Sequence, residues 1–174
     1  MDFGGEWEAV QTYLVGAGFR AAVIGGVALT AYGNPRMTLD LDIVTDAAAQ
    51  ETLIGFMEGQ GFVTLHRSPG YSNHRHAVLG RVDFMYVRNE TADRLFDSTR
   101  ELPGPAGRPI PVPMPEHLIA MKVQAMKDAP ERAMQDLVDI AHLLGVEGVN
   151  RDTVRGYFVR AGLEEQWHAL VTTR

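Results

Sequence analysis

Ile24-Gly25-Gly26, followed after a short interval by Arg36-Met37-Thr38-Leu39-Asp40-Leu41-Asp42-Ile43, is the stretch on which the reading of this chain turns. From Thr38 to Val44 polar and apolar residues alternate with a period of two, the pattern of a strand with one buried face. Asp40 and Asp42 then point one way, while Leu39, Leu41 and Ile43 point to the core. Two carboxylates about 7 Å apart on one strand face repel unless a cation lies between them. A hard divalent ion such as Mg²⁺ or Mn²⁺ suits that pair; a solvated strand face is the bland alternative. Gly25-Gly26 closes the preceding strand, Arg20 to Ile24, and opens a helix over Val27 to Tyr32. Backbone N–H groups with no side chain in the way would face a nearby anion. A third carboxylate, Asp83, lies in Arg81-Val82-Asp83-Phe84-Met85-Tyr86, opposite the apolar face of Val82, Phe84 and Tyr86. Three carboxylates on neighbouring strands beside a glycine turn make a metal-assisted phosphoryl-transfer site chemically coherent.

Outward from these motifs, a helix is expected over Glu6 to Val15 and another from an Asp46 N-cap to Met57. Phe62 to His66 and Ala77 to Val87 read as strands, with a loop between them, and Thr91 to Arg100 as a helix. Six of the nine prolines fall within Pro103 to Pro115, a stiff crossing with one edge strand. Beyond it the pattern is helical, over 116–127, 131–144, 151–161 and 163–171. The expectation is an α/β (α+β) half, residues 1–110, followed by a C-terminal helical subdomain, 111–174, packed on it.

The chain has 174 residues, a net charge of −6 and no cysteine, which excludes disulfides, thiol catalysis and cysteine metal sites. Up to residue 110 there are 13 acids against 9 bases, and beyond it 9 against 7, so neither part is the basic half of a dedicated nucleic-acid binder. No apolar run or signal pattern marks a membrane span or leader, and a cytoplasmic protein without membrane contact is expected. Residues 59–82 nevertheless hold no acid, only Arg67, Arg75, Arg81, His66, His74 and His76 with Tyr71. There Arg67, Tyr71 and Arg75 are the candidate contacts for an acceptor such as RNA, through guanidinium–phosphate forks and stacking. A transition metal on the histidines is disfavoured for want of ligand spacing.

Of only two lysines, Lys122 falls on the apolar stripe of Leu118, Met121 and Ala125. It either snorkels or points into a cleft. Lys127 lies on the polar side. Asp136 pairs with Arg132 at i, i+4 or serves a site, whereas Asp139 reads as surface.

The set Gly25-Gly26, a gap of 13 residues, Asp40-Leu41-Asp42 and then Asp83 resembles the nucleotidyltransferase superfamily typified by DNA polymerase beta. The fuller phrase Gly25 to Gly33 with Arg36-x-Thr38-x-Asp40-x-Asp42 is similar to a bacterial branch that includes the AbiEii-type nucleotidyltransferase toxins. Pro115 to Lys122 and Asp136-Leu137-Val138-Asp139 resemble that branch's helical elements. The resemblance implies a mixed sheet flanked by helices and a helical bundle after it. It also implies transfer of a nucleoside monophosphate from an NTP to an acceptor hydroxyl or phosphate, on RNA or tRNA, a protein or a small molecule. Asp40, Asp42 and Asp83 would be catalytic and metal-holding; Gly25, Gly26, Arg36, Thr38, Lys122 and Asp136 would bind the nucleotide. A toxin role with an antitoxin partner is a further implication. Many active members carry serine at the position of Gly26, so a catalytically inactive nucleotide-binding or interaction module is the alternative.

Overall fold

A computed structural model describes residues 2–172 except Arg36, and leaves aside the side chains of Ala106 and Arg132. The chain divides into two compact units, up to Pro113 and from Met114.

In the first unit, α1 (Phe3–Gly16) leads into β1 (Ala21–Ile24), α2 (Gly25–Ala31) and β2 (Asp40–Asp46). Then follow α3 (Gln50–Gly59), β3 (Val63–Ser68), β4 (Tyr71–His76), β5 (Gly80–Val87) and α4 (Asn89–Phe96). The five strands form one mixed sheet in the order β1-β2-β5-β4-β3, in which β2 and β5 run parallel and the other pairs antiparallel. Leu41, Ile43, Val82 and Phe84 are buried on one face, whereas Leu39, expected beside them, precedes β2 and is 80% exposed. The helical layer of α1 and α3 is tied together by stacked rings of Tyr13 and Phe56, 4.1 Å apart, and by the Tyr13 hydroxyl on the Thr52 carbonyl. Arg20 forks onto Asp46 at the far end of β2 and reaches Asp93 on α4.

Two expectations change. The segment after Ser68 is not a loop but strand β4, hairpinned to β5 through residues 77–79. The proline-rich crossing carries two short strands, β6 (Arg100–Pro103) and β7 (Pro109–Val112), paired as an antiparallel ribbon. Proline survives there because a two-stranded ribbon leaves half its N–H groups outside the ladder.

β4 escapes a pattern search because its core face is polar. Ser72 and His74 are fully buried, and His74 lies between Ser72 Oγ at 2.9 Å and Thr64 Oγ1 at 3.1 Å. Ser72 in turn meets the Tyr86 hydroxyl at 2.7 Å, and Thr64 donates to Glu58. A neutral imidazole supplies the one donor and one acceptor this chain needs. Burial lowers the His74 pKa, so the unfolded chain takes up its proton first. Stability is therefore full above about pH 6.5 and declines as pH falls below it. Thermal melts between pH 8 and 5 should show this loss, with a flatter profile in His74→Gln. The substitution should also cost about 1–3 kcal/mol at pH 8 by misaligning the buried partners.

The second unit consists of α5 (Pro115–Asp128), α6 (Ala133–Leu143), α7 (Arg151–Ala161) and α8 (Glu164–Thr172). Its core joins Leu118, Ile119, Val123, Ile140, Leu143, Val154 and Phe158, with the Trp167 ring 5.5 Å from Phe158. Asn150 caps α7 by accepting from Thr153 N–H, and its own N–H is taken by Glu116. Among the described residues no helix is long and apolar enough to cross a membrane.

Candidate nucleotidyl-transfer site

Parallel pairing of β2 with β5 sets Asp42 opposite Asp83, and Asp40 opposite Arg81. Register partners share a face, so all three carboxylates project from the side opposite Leu41 and Phe84. One oxygen from each of Asp40, Asp42 and Asp83 lies within 4.8 Å of the others. Such a set of hard, like-charged donors fits Mg²⁺ or Mn²⁺, and offers nothing to a soft metal.

The glycine turn abuts this site at van der Waals distance. Gly25 has φ +62°, and a Cβ there would stand 1.9 Å from Asp42 Oδ2. A Cβ on Gly26 would stand 2.6 Å from Thr38 Cβ and 2.7 Å from its hydroxyl. Thr38 donates that hydroxyl to Asp40 Oδ1 at 2.8 Å. The absence of side chains at 25 and 26 thus lets Asp42 and Thr38 seat directly against the start of α2. Gly26→Ala should cost about 1–3 kcal/mol through overpacking. A double-mutant cycle with Thr38→Gly should return a favourable coupling above about 1 kcal/mol, read by urea denaturation.

Asp83, 5% exposed, is the most enclosed of the three. Arg81 grips it with Nε on Oδ1 at 2.8 Å and Nη2 on Oδ2 at 2.7 Å. Tyr71, from β4, donates its hydroxyl to Oδ2 at 2.5 Å. Burial, then the bond to Asp83, pushes the Tyr71 phenol up to about 12, so it stays a donor at any physiological pH. The Asp83 carboxylate likewise holds the Arg81 guanidinium above its usual pKa. Asn73 stands opposite Asp83 in β4, and its Oδ1 is buried without a hydrogen-bond partner.

Sequence reasoning placed Tyr71 at an acceptor surface; its hydroxyl is instead engaged with Asp83. It counted Arg81 only within the basic stretch and passed over Asn73, although the two-residue spacing of Arg81 from Asp83 was the available signal. Of the three acceptor candidates, Tyr71 and Arg75 share one face of β4 and Arg67 stands apart. Arg75, opposite Arg81, belongs to the carboxylate face. Arg67, opposite the core-facing Ser72, pairs with Glu51 of α3. Arg36 lies outside the described residues.

In the second unit Lys122 does not snorkel to solvent but turns to α6. Its ammonium bonds Asp136 at 2.9 Å and Asp139 at 2.6 Å, and both aspartates are 3% exposed. Asp139 is therefore interior rather than surface. Removing the cation leaves two buried carboxylates, so Lys122→Met should cost about 3–5 kcal/mol in thermal or urea unfolding.

The sheet, the carboxylates and the glycine turn together define a nucleotidyltransferase. Residues 80–170, just over half the chain, match the family described as nucleotidyl transferase AbiEii toxin, Type IV TA system, and the chain belongs to that family. The matched span holds Asp83, Lys122, Asp136 and Asp139 and begins after Asp40 and Asp42. No curated protein matches the chain. Among solved structures, the chain is similar to the antibiotic-resistance factor ANT(2'')-Ia in solution, at 17% identity over 99% of this chain and 98% of that one, with a TM-score of 0.66. It is also similar to the lincomycin-bound lincosamide antibiotic adenylyltransferase LnuA, at 18% identity over 81% and 96% with a TM-score of 0.58. An antigenic nucleotidyltransferase-like protein from Paracoccidioides brasiliensis aligns at 14% identity over 97% and 92%, with a TM-score of 0.59. At these identities the likeness is one of fold.

Proposed function

We propose that the chain is a divalent-metal-dependent nucleotidyltransferase whose site is built on Asp40, Asp42 and Asp83, and that it acts as a toxin countered by an antitoxin. The observation that carries the reading is the convergence of the three carboxylate oxygens within 4.8 Å beside the glycine turn. Asp40 and Asp42 would hold Mg²⁺ or Mn²⁺, with Asp83 completing the set. The metal supplies charge neutralisation of the triphosphate and of the leaving pyrophosphate.

The rest of the work falls to this chain's own groups. Gly25 and Gly26 leave the backbone open to the triphosphate and Thr38 lies against Gly26, while Arg36 is a nucleotide contact on the sequence motif alone. Lys122, with its ammonium on Asp136 and Asp139, is taken as a nucleotide contact on the family's helical motif. Asp136 then acts by orienting that ammonium. Asp83 orients or deprotonates the acceptor hydroxyl. The close fit of Thr38 against position 26 gives Gly26 a packing reason, and so supports an active enzyme over an inactive binding module.

For the acceptor, the separation of Arg67 from Arg75 argues against a continuous phosphate track and for a compact hydroxyl compound; tRNA or other RNA, or a protein, is the competing class. The toxin reading rests on the family description. Labelled NTPs with Mg²⁺ should yield transfer to one of an RNA pool, a protein extract or a set of hydroxylated small molecules. Asp42→Ala should lower the rate by at least about 10³-fold, the order of loss expected for a removed metal ligand. It should also relieve growth arrest on expression. Transfer undiminished in that variant would refute the assignment, and flat salt dependence would exclude the polyanionic acceptor.

A further inference from the structure

Arg81 could have been directed elsewhere. Its cross-strand neighbours are Asp40 on β2 and Arg75 on β4, yet its guanidinium turns along its own strand to Asp83. The two-pronged contact is the arrangement in which a planar fork fixes both the position and the plane of a carboxylate. Tyr71 closes the set, donating to Asp83 Oδ2 at 2.5 Å and accepting from Arg81 Nη2 at 3.2 Å. Guanidinium, phenol and carboxylate thus form a ring held by two adjacent strands. Without that ring nothing in this set would stop Asp83 from rotating away from two like charges.

We propose that Arg81, braced by Tyr71, is the positioning residue of the carboxylate site: it fixes Asp83 toward Asp40 and Asp42 and offsets one of three negative charges. The inference rests on the metal-site reading above. It makes two consequences of opposite sign. Loss of the positive charge strengthens cation binding, while loss of the fork lets Asp83 wander and slows transfer. A merely structural role would weaken both together.

The test is Mn²⁺ titration of the full chain without nucleotide, by calorimetry and electron paramagnetic resonance, alongside transfer rates and melting temperatures. Arg81→Gln should bind Mn²⁺ roughly three- to tenfold tighter, as expected for one unit charge removed a few ångströms away. Its kcat should fall about 10²-fold. Arg81→Lys keeps the charge but not the fork, so its Mn²⁺ affinity should stay within about twofold while kcat drops about tenfold. Tyr71→Phe should leave affinity unchanged and lower kcat by about three- to tenfold. Should Arg81→Gln fold poorly, Arg81→Lys carries the test alone. Mn²⁺ binding no tighter in a folded Arg81→Gln, or a wild-type kcat in Arg81→Lys, would overturn the role of Arg81. Binding that is absent from the wild type, or the same in Asp40→Ala as in the wild type, overturns instead the metal reading on which it depends.

Discussion

The parallel pairing of β2 with β5 is the constraint on which the rest of the site depends. Two acidic side chains, Asp42 and Asp83, are set directly opposite each other on neighbouring strands, an arrangement that opposes folding unless the charge is answered. The hydrophobic register supplies the force that holds it. Leu41, Ile43, Val82 and Phe84 are buried on the other face of the same two strands. A slip of one residue in either strand would turn its buried pair outward, at a cost far greater than the repulsion of the carboxylates. The charge is answered locally by Arg81 and Thr38, each two residues before the carboxylate it serves.

That local answer also shows what a sequence conceals. The β2 motif was legible because alternation and charge coincide: apolar residues inward, aspartates outward. The helical second unit was legible from its periodicity. β4 was not, since Tyr71, Asn73 and Arg75 on one face oppose Ser72, His74 and His76 on the other, and no apolar period survives. Its inward face is a hydrogen-bonded chain rather than a greasy stripe, a form of core that composition cannot announce.

The same limit governs the second unit. Lys122 on an apolar stripe was recognisably special, but the two aspartates that receive it are 14 and 17 positions further on, and only the packing of α5 on α6 brings them to it. The spacing of Asp136 and Asp139, three apart, placed both beside the apolar face of α6. Whether they faced inward to a cation or outward to water was decided by tertiary contact. The cluster sets one ammonium against two buried carboxylates, and Asp136 Oδ2 is buried there without a hydrogen-bond partner.

The fit between position 26 and Thr38 constrains descent as well as architecture. A lineage that carries threonine at 38 cannot gain a side chain at 26 by a single step without crowding the strand that bears Asp40. Nor does shrinking Thr38 first help, because its hydroxyl bond to Asp40 is then lost. The two positions are therefore sterically coupled, and glycine at 26 is what the seating of Thr38 against the turn requires.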